Sequence, residues 1–326
     1  MNWSRRFSSY IHEKNFLKSA FIISVATFII YVFNKIIFFI STLDDILGKS
    51  DGNYYEWRFG KVFYKVQGKG NPLLLIHDLS SSSSSFEWNK IVCELSKTNT
   101  VYTLDLLGCG RSDKPALTYT NFLYVQLITD FIKNVIKEKT DVIVTGESSS
   151  FIIAACKNDS NIINRIVLVN PLDIAHLSLV PSKRTQILKI LIYIPIIGTL
   201  LYHMLMRKES IEDKFFEDFY NTSGMDERTI KAYYEAAHLG NSKGKYLFAN
   251  MKARYTNFDI GRCLRTLNNS IFIITGDGTP NNSTIADQYS SILPSIEIVG
   301  IDKTKQLPQL ERPDAFLEQI NILLSY

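Results

Sequence analysis

Val142-Ile143-Val144-Thr145-Gly146-Glu147-Ser148-Ser149-Ser150-Phe151-Ile152-Ile153-Ala154-Ala155 is the stretch on which the reading of this chain turns. A short apolar run leads into a glycine and a serine, and an apolar segment with helical character follows. Strand, sharp turn carrying serine, then helix is the context in which G-x-S-x-G forms a nucleophile elbow, with Ser148 in the nucleophile position. The base of such a site comes last in the chain, yet none of the five histidines lies beyond His238. The chain therefore carries the address of a nucleophile and lacks the base that should follow it.

The composition supports one large core with an appendage: 326 residues, 46% hydrophobic and 21% charged, with no internal repeat. A net charge of +4 spread along the chain without a basic block gives no footing for nucleic-acid binding. Cys93, Cys109, Cys156 and Cys263 stand far apart, with no C-x-x-C pair and no histidine cluster. They read as small buried hydrophobes, with no metal and no cofactor expected.

The N-terminal region differs. Residues 19–33 are uncharged and largely apolar, and after Asn34-Lys35 the run resumes with Ile36-Ile37-Phe38-Phe39-Ile40, reaching the ~20 residues that a spanning helix needs. Lys35 sits near the end, where its ammonium can snorkel to the headgroups. No small-residue cleavage site follows, which favours a retained anchor over a signal peptide. Arg5, Arg6, Lys14 and Lys18 precede the run and Asp44-Asp45 follow it. That bias predicts a single-pass protein of the cell membrane with a cytoplasmic N-terminus and an outward-facing globular part.

The expected organisation is a basic tail at 1–18, an anchor at 19–41, a joint at 42–53, a core formed by 54–174 and 266–326, and a helical cap at 175–265. Alternating segments at 54–58 and 61–66 predict a hairpin turned at Phe59-Gly60. The runs Leu73-Leu74-Leu75-Ile76, Val101-Tyr102-Thr103-Leu104, Val142-Ile143-Val144, Ile166-Val167-Leu168-Val169 and Ile271-Phe272-Ile273-Ile274 read as strands buried on both faces of a parallel sheet. Helices are expected at 88–96, 119–137 and 149–157, making an open α/β sheet. About a hundred residues between Asn170-Pro171 and Ile271 exceed any ordinary crossover and read as several cap helices. Within them, Pro195 and Gly198 should break the apolar segment 187–206 into two short helices, with no second transmembrane span.

These marks together resemble the α/β-hydrolase superfamily, from about Tyr54 to the end of the chain. Leu74-Leu75-Ile76-His77-Asp78 is similar to the family's strand ending in His-Gly, where the oxyanion loop begins. Asp105-Leu106-Leu107-Gly108-Cys109-Gly110-Arg111-Ser112-Asp113-Lys114-Pro115 matches its D-x-x-G-x-G-x-S-x-x-P segment. The elbow at Ser148 is a third mark, and Leu307-Pro308-Gln309-Leu310-Glu311-Arg312-Pro313 is similar to the segment that follows the family's catalytic histidine. The resemblance implies an α/β-hydrolase fold: a mostly parallel sheet flanked by helices, with a helical cap between strands 6 and 7. It also implies oxyanion donors at the backbone N–H groups of Leu79 and Ser149.

The same alignment puts Gln306 in the base position, and an amide has no pKa with which to accept a proton near neutral pH. Thr279 stands where the family places its aspartate, leaving Asp277 or Asp173 as the candidate acid. Either carboxylate reads equally well as a turn or helix cap. Asp78 replaces the glycine after His77, and a carboxylate aimed at the oxyanion hole would oppose the charge formed there. Residues 80–85, a serine-rich run, read as a flexible polar loop, with a hydroxyl-lined pocket wall as the second reading. Loss of the triad histidine alone costs on the order of 10⁶ in kcat. The leading expectation is a membrane-anchored hydrolase-fold protein, weakly active or non-catalytic, binding a small apolar or ester-like ligand. One alternative is a working serine ester or amide hydrolase with a displaced base such as His176, with His238 behind it. The other is a membrane-anchored interaction module whose cap docks a partner or the bilayer.

Overall fold

The computed structural model describes residues 3–49, 51–222 and 225–325, with side chains from residue 15 onward, so the basic side chains of Arg5, Arg6 and Lys14 and the joint residue Ser50 lie outside the description. Helix α1 (Trp3–Ser41) is continuous: most of the segment expected as a separate tail is helical and runs into the apolar stretch without a break. Its portion from Asn15 to Ser41 has a mean hydropathy of 2.1 and is almost wholly exposed, long and apolar enough to cross a bilayer.

The sheet has eight strands in the order β1-β2-β4-β3-β5-β6-β7-β8. β1 (Asn53–Trp57) and β2 (Gly60–Gln67) form the expected hairpin, and Trp57 pairs with Gly60 across the turn. β3 (Asn71–Ile76), β4 (Asn99–Leu104), β5 (Thr140–Thr145), β6 (Ile163–Val169), β7 (Ile271–Gly276) and β8 (Glu297–Ile301) run parallel to one another, while β2 pairs antiparallel with β4. Each apolar run serves both faces by the two-residue period of a strand. Leu74, Ile76, Val142, Val144, Ile166, Leu168 and Ile273 pack on one side with Tyr124 and Phe151. Leu73, Leu75, Ile143, Val167, Val169 and Ile274 pack on the other with Trp88, Phe316 and Ile320. Burying each such side chain contributes about 1.5–3 kcal/mol, which is why the runs are continuous and not alternating.

The first face is covered by α3 (Asn121–Phe131), which passes into a π-helical turn at Ile132–Ile136, and by α4 (Ser148–Asn158). Thr120 caps α3 by accepting from the Leu123 N–H. The helix expected at 88–96 is instead a 3-10 turn (Ser85–Trp88) and the one-turn α2 (Val92–Leu95). The Ser85 N–H is tied to Asp105 Oδ1 at 2.7 Å and Trp88 and Ile91 are both fully buried, so the chain folds tightly onto the core instead of extending a regular helix. β8 escaped the sequence reading because it is an edge strand whose residues are mostly exposed and carry no apolar run.

Between β6 and β7 lie α5 (Ile174–Leu177), α6 (Lys183–Tyr193), α7 (Ile197–Leu205), α8 (Lys208–Asp218), α9 (Glu227–His238), α10 (Lys245–Lys252) and α11 (Gly261–Leu264). The break expected in 187–206 falls at residues 194–196, where the chain bends by 109° and Ile196 takes φ +65°. Pro195 has no N–H to continue α6. After β7 come α12 (Pro280–Ile292), α13 (Pro308–Glu311) and α14 (Pro313–Leu323).

The D-x-x-G-x-G segment is folded around a buried ion pair. Asp105 is fully buried, and its Oδ2 accepts from Arg111 Nε at 2.9 Å and from the Arg111 N–H at 2.8 Å. Burial works against its charge, but the guanidinium and these hydrogen bonds prevail and hold the carboxyl down at about 2. Removing one partner of such a pair leaves the other charge buried. Asp105→Ala is therefore expected to lower unfolding stability by ~3–5 kcal/mol in urea titration.

Candidate functional site

Open α/β sheets bind ligands beyond the carboxyl ends of their strands, at the point where the strand order reverses. Here that point lies between β3 and β5, and it brings His77-Asp78 against Gly146-Glu147. A cavity of about 590 Å³ opens above it, walled by cap residues that include Leu205, Met206, Ile211, Phe215 and Phe248. A cleft of about 710 Å³ lies elsewhere, between the joint and β2 at the far side of the sheet.

The turn after β5 is not built as expected. A nucleophile elbow displays the residue at the strained strand-to-helix turn and takes an oxyanion donor from the residue after it. The positive φ, +54°, belongs to Gly146, and Ser148 is already the first residue of α4. Left-handed backbone costs a residue bearing Cβ roughly 1–2 kcal/mol and glycine almost nothing, so the chain takes its bend at Gly146. Ser148 thus fails as an exposed nucleophile: it is fully buried, it does not line the cavity, and its hydroxyl donates to the His77 carbonyl at 2.8 Å. Ser149, expected to offer an oxyanion N–H, donates it to Gly146 O at 3.2 Å inside the turn.

The N–H that faces the cavity floor is that of Glu147, and Asp78 already occupies it. Asp78 Oδ1 accepts from the Glu147 N–H at 2.8 Å, and the N–H of Leu79 lies beside the same carboxylate and favours its charge. A Cβ built on Gly146 would collide with the Asp78 carboxylate, which fills the space a side chain at the apex would need. His77 holds this loop in place. Its Nδ1 donates to Asp78 O at 2.7 Å and its Nε2 accepts the Leu106 N–H at 3.1 Å; burial lowers its pKa and keeps it neutral.

Gln306, expected in the base position, lines the cavity and its Nε2 donates to Asn282 Oδ1 at 3.1 Å, so an amide pair stands there. Asn282 was not singled out in the sequence; its place inside α12 gave no signal. Neither acid candidate reaches Gln306. Asp277 is exposed and accepts from Thr275 Oγ1 at 3.3 Å, in a turn against Gly300. Asp173 caps α5 by accepting the His176 N–H at 2.9 Å and receives Gln288 Nε2 at 3.1 Å; these hydrogen bonds lower its pKa. Asn170 ties β6 to the Gln306 loop instead, donating to Lys305 O at 2.8 Å and Gln306 O at 3.0 Å. His176 is exposed at the cavity rim, and His238 is buried in the cap, stacked on His203 with ring centroids 5.0 Å apart and outside the cavity lining.

The serine-rich run is a wall of the site and not an exposed loop. Residues 81–85 are all buried and Ser80, Ser82 and Ser83 line the cavity. The Gly110 N–H on Ser83 O at 3.2 Å and Cys109 Sγ on Ser80 O at 3.2 Å hold it down.

The cavity floor is rich in carboxyl groups that no spacing in the chain brings together. Glu87 accepts from Thr145 Oγ1 at 2.6 Å and from Gln309 Nε2 at 3.0 Å, and burial pushes its pKa up to about 8. Glu147, pushed up by burial to about 7, keeps an Oε1 with no hydrogen-bond partner. Burial raises Asp78 and Asp218 in the same direction. Among the described residues, no group of three His, Cys, Asp or Glu side chains is arranged to hold a metal ion.

An acid whose folded pKa lies above its unfolded value binds more protons when folded, so stability falls as pH rises from the unfolded pKa, near 4.5, to the folded one. For Glu87 that window ends at about 8. Glu87→Gln removes the effect, and the stability difference between variant and wild type, read from urea midpoints, is expected to grow in the variant's favour from pH 5 to pH 8 and level off above.

Residues 73–319 match the model of the "Alpha/beta hydrolase family". The 2-hydroxy-6-oxo-6-(2'-aminophenyl)hexa-2,4-dienoic acid hydrolase of Metapseudomonas resinovorans is 32% identical over 96 residues, 28% of this chain and 33% of that protein. An uncharacterized protein of Mycobacterium tuberculosis is 26% identical over 107 residues, 33% of this chain and 31% of that one. The chain thus matches about a third of the length of these curated relatives. Among solved structures, a meta-cleavage product hydrolase from Pseudomonas fluorescens IP01 superposes with a TM-score of 0.66 at 18% identity, covering 84% of this chain and 97% of that one. The carboxylesterase CesB from Bacillus subtilis gives 0.67 at 13% identity, covering 90% and 99%. At such identities the structural likeness concerns the fold, and the match across most of the chain supplies the rest: this chain belongs to the α/β-hydrolase family.

Proposed function

We propose that the chain is a membrane-anchored α/β-hydrolase-fold protein that binds a ligand in its cavity and does not run serine-triad hydrolysis. The observation that carries this reading is the Asp78 carboxylate seated on the Glu147 N–H with the Leu79 N–H beside it. Those donors are the ones an elbow bent at Gly146 would offer an oxyanion, and a negative charge forming there would meet a carboxylate. Three further features agree: an apex with no side chain, a sealed Ser148, and the Gln306–Asn282 amide pair, which has no proton to exchange near neutral pH. The displaced-base alternative would need His176, exposed at the rim, to reach a hydroxyl already given to a carbonyl.

The ligand class follows from the walls. Ile211, Phe215, Phe248 and Leu307 suit an apolar body, while Glu147 Oε1 and the neighbouring carboxyl groups suit a hydrogen-bond-donating head. The anchor reading rests on the exposed apolar length of α1, and its orientation on the basic flank before it.

Treatment of the full-length protein in detergent with a fluorophosphonate is expected to give no labelling that depends on Ser148, with wild type and Ser148→Ala alike. Stoichiometric labelling lost in Ser148→Ala, together with ester turnover, would overturn the reading. Combining Asp78→Gly, Gly146→Ser and Gln306→His is expected to create labelling at position 146. On intact cells, added protease is expected to digest the globular part; digestion only after lysis would reverse the orientation.

A further inference from the structure

The hinge between α6 and α7 meets α1 at an unusual place. Asn34, a polar residue inside the apolar length of α1, is buried there and donates its Nδ2 to the carbonyl of Ile196 at 2.9 Å. One residue on, Lys35 Nζ donates to Asn241 Oδ1 at 3.0 Å, in the turn after α9. The elbow is thus fastened to the side of α1 and not to its end. Exposed apolar side chains continue past this level, through Ile36, Phe39 and Ile40 on α1 to Leu43 in the turn after it. If α1 lies in a bilayer, the apolar zone extends beyond the height at which the elbow is attached.

The elbow itself is dressed for that zone. Ile187, Ile190, Leu191 and Ile194 on and after α6, and Ile197 at the start of α7, are all exposed, from 37% at Ile194 to 64% at Ile190. In water alone, so dense a set of exposed branched side chains beside a second apolar helix would be an unfavourable patch. Lys183 and Arg184 at the start of α6 are exposed, as the polar end of an interfacial helix requires. A polar amide in an apolar setting needs a partner, and the Ile196 carbonyl, which also accepts the Leu200 N–H at 2.9 Å, supplies one to Asn34 Nδ2.

We infer that the α6–α7 elbow is seated in the headgroup–acyl boundary of the leaflet through which α1 leaves the membrane, so that the cap is held to the bilayer by an apolar wedge as well as by the anchor. The inference rests on the reading of α1 as membrane-inserted. It commits to lipid as the occupant because the patch adjoins the exposed apolar surface of α1, with a hydrogen bond fixing their relative height.

The test uses full-length protein reconstituted into phosphatidylcholine vesicles, with or without bromine on the acyl chains. Tryptophan is introduced singly at Ile190→Trp on the elbow, Phe28→Trp on α1 and Ile322→Trp on α14, each read as emission added over wild type. Ile190→Trp and Phe28→Trp are expected to lose most of their added emission in brominated vesicles, and Ile322→Trp none. Quenching of Phe28→Trp without Ile190→Trp would overturn the wedge and leave the anchor standing, including the case in which a second copy of the chain covers the patch. Quenching of neither would overturn the anchor reading and the wedge with it. Ile197→Trp repeats the elbow measurement should Ile190→Trp misfold.

Discussion

The carboxylate of Asp78 joins the ends of two neighbouring strands, and the geometry of the whole site follows from it. β3 hands the chain to His77-Asp78 and β5 hands it to Gly146-Glu147, and the 2.8 Å hydrogen bond from the Glu147 N–H to Asp78 Oδ1 locks the two turns together. The lock demands a residue without Cβ at 146, because any side chain there would occupy the carboxylate's space. It also demands a neutral, fixed His77, whose two ring nitrogens hold Asp78 O and the Leu106 N–H. The buried Asp105–Arg111 pair then positions the serine-rich wall through the Ser85 N–H.

Around that lock, Ser148, Gln306 and Asn282 are engaged in packing and hydrogen bonding. Ser148 serves the strand-to-helix junction, where a small residue lets α4 approach β3 and a hydroxyl satisfies a buried carbonyl. Gln306 Nε2 donates to Asn282, whose own amide donates to Gly276 O and Lys305 O, and Asn170 stitches β6 to the loop before α13. What remains is a cavity with apolar cap residues and the cations Lys214, Lys252 and Arg254 in its walls, over a cluster of carboxyl groups in which burial pushes Glu87 up to about 8 and Glu147 up to about 7. α7 runs from the elbow beside α1 to Leu205 and Met206 in the cavity wall, so one helix links the elbow to the pocket.

Much of the architecture was legible in the residues. Strands buried on both faces announce themselves as continuous apolar runs, and the hundred-residue interval before β7 could only be a cap. The edge strand β8 was not legible, because most of its residues are exposed and carry no continuous apolar run. The acidic floor was not legible either: Asp78 and Glu87 come from the segment after β3, Glu147 from the turn after β5 and Asp218 from the cap, and they meet only when these are assembled.

The sequence by itself determined the buried strands of the sheet, the cap with its break near Pro195 and the apolar N-terminal helix. Only the tertiary structure decided which residue stands at the apex of the turn after β5. The local spacing marks Ser148, but the left-handed bend goes to the residue that adopts it at least cost, and Gly146 is available two positions earlier. The contact that settles it comes from Asp78, on another strand and nearly seventy residues away, and no local pattern can register a constraint imposed at that distance.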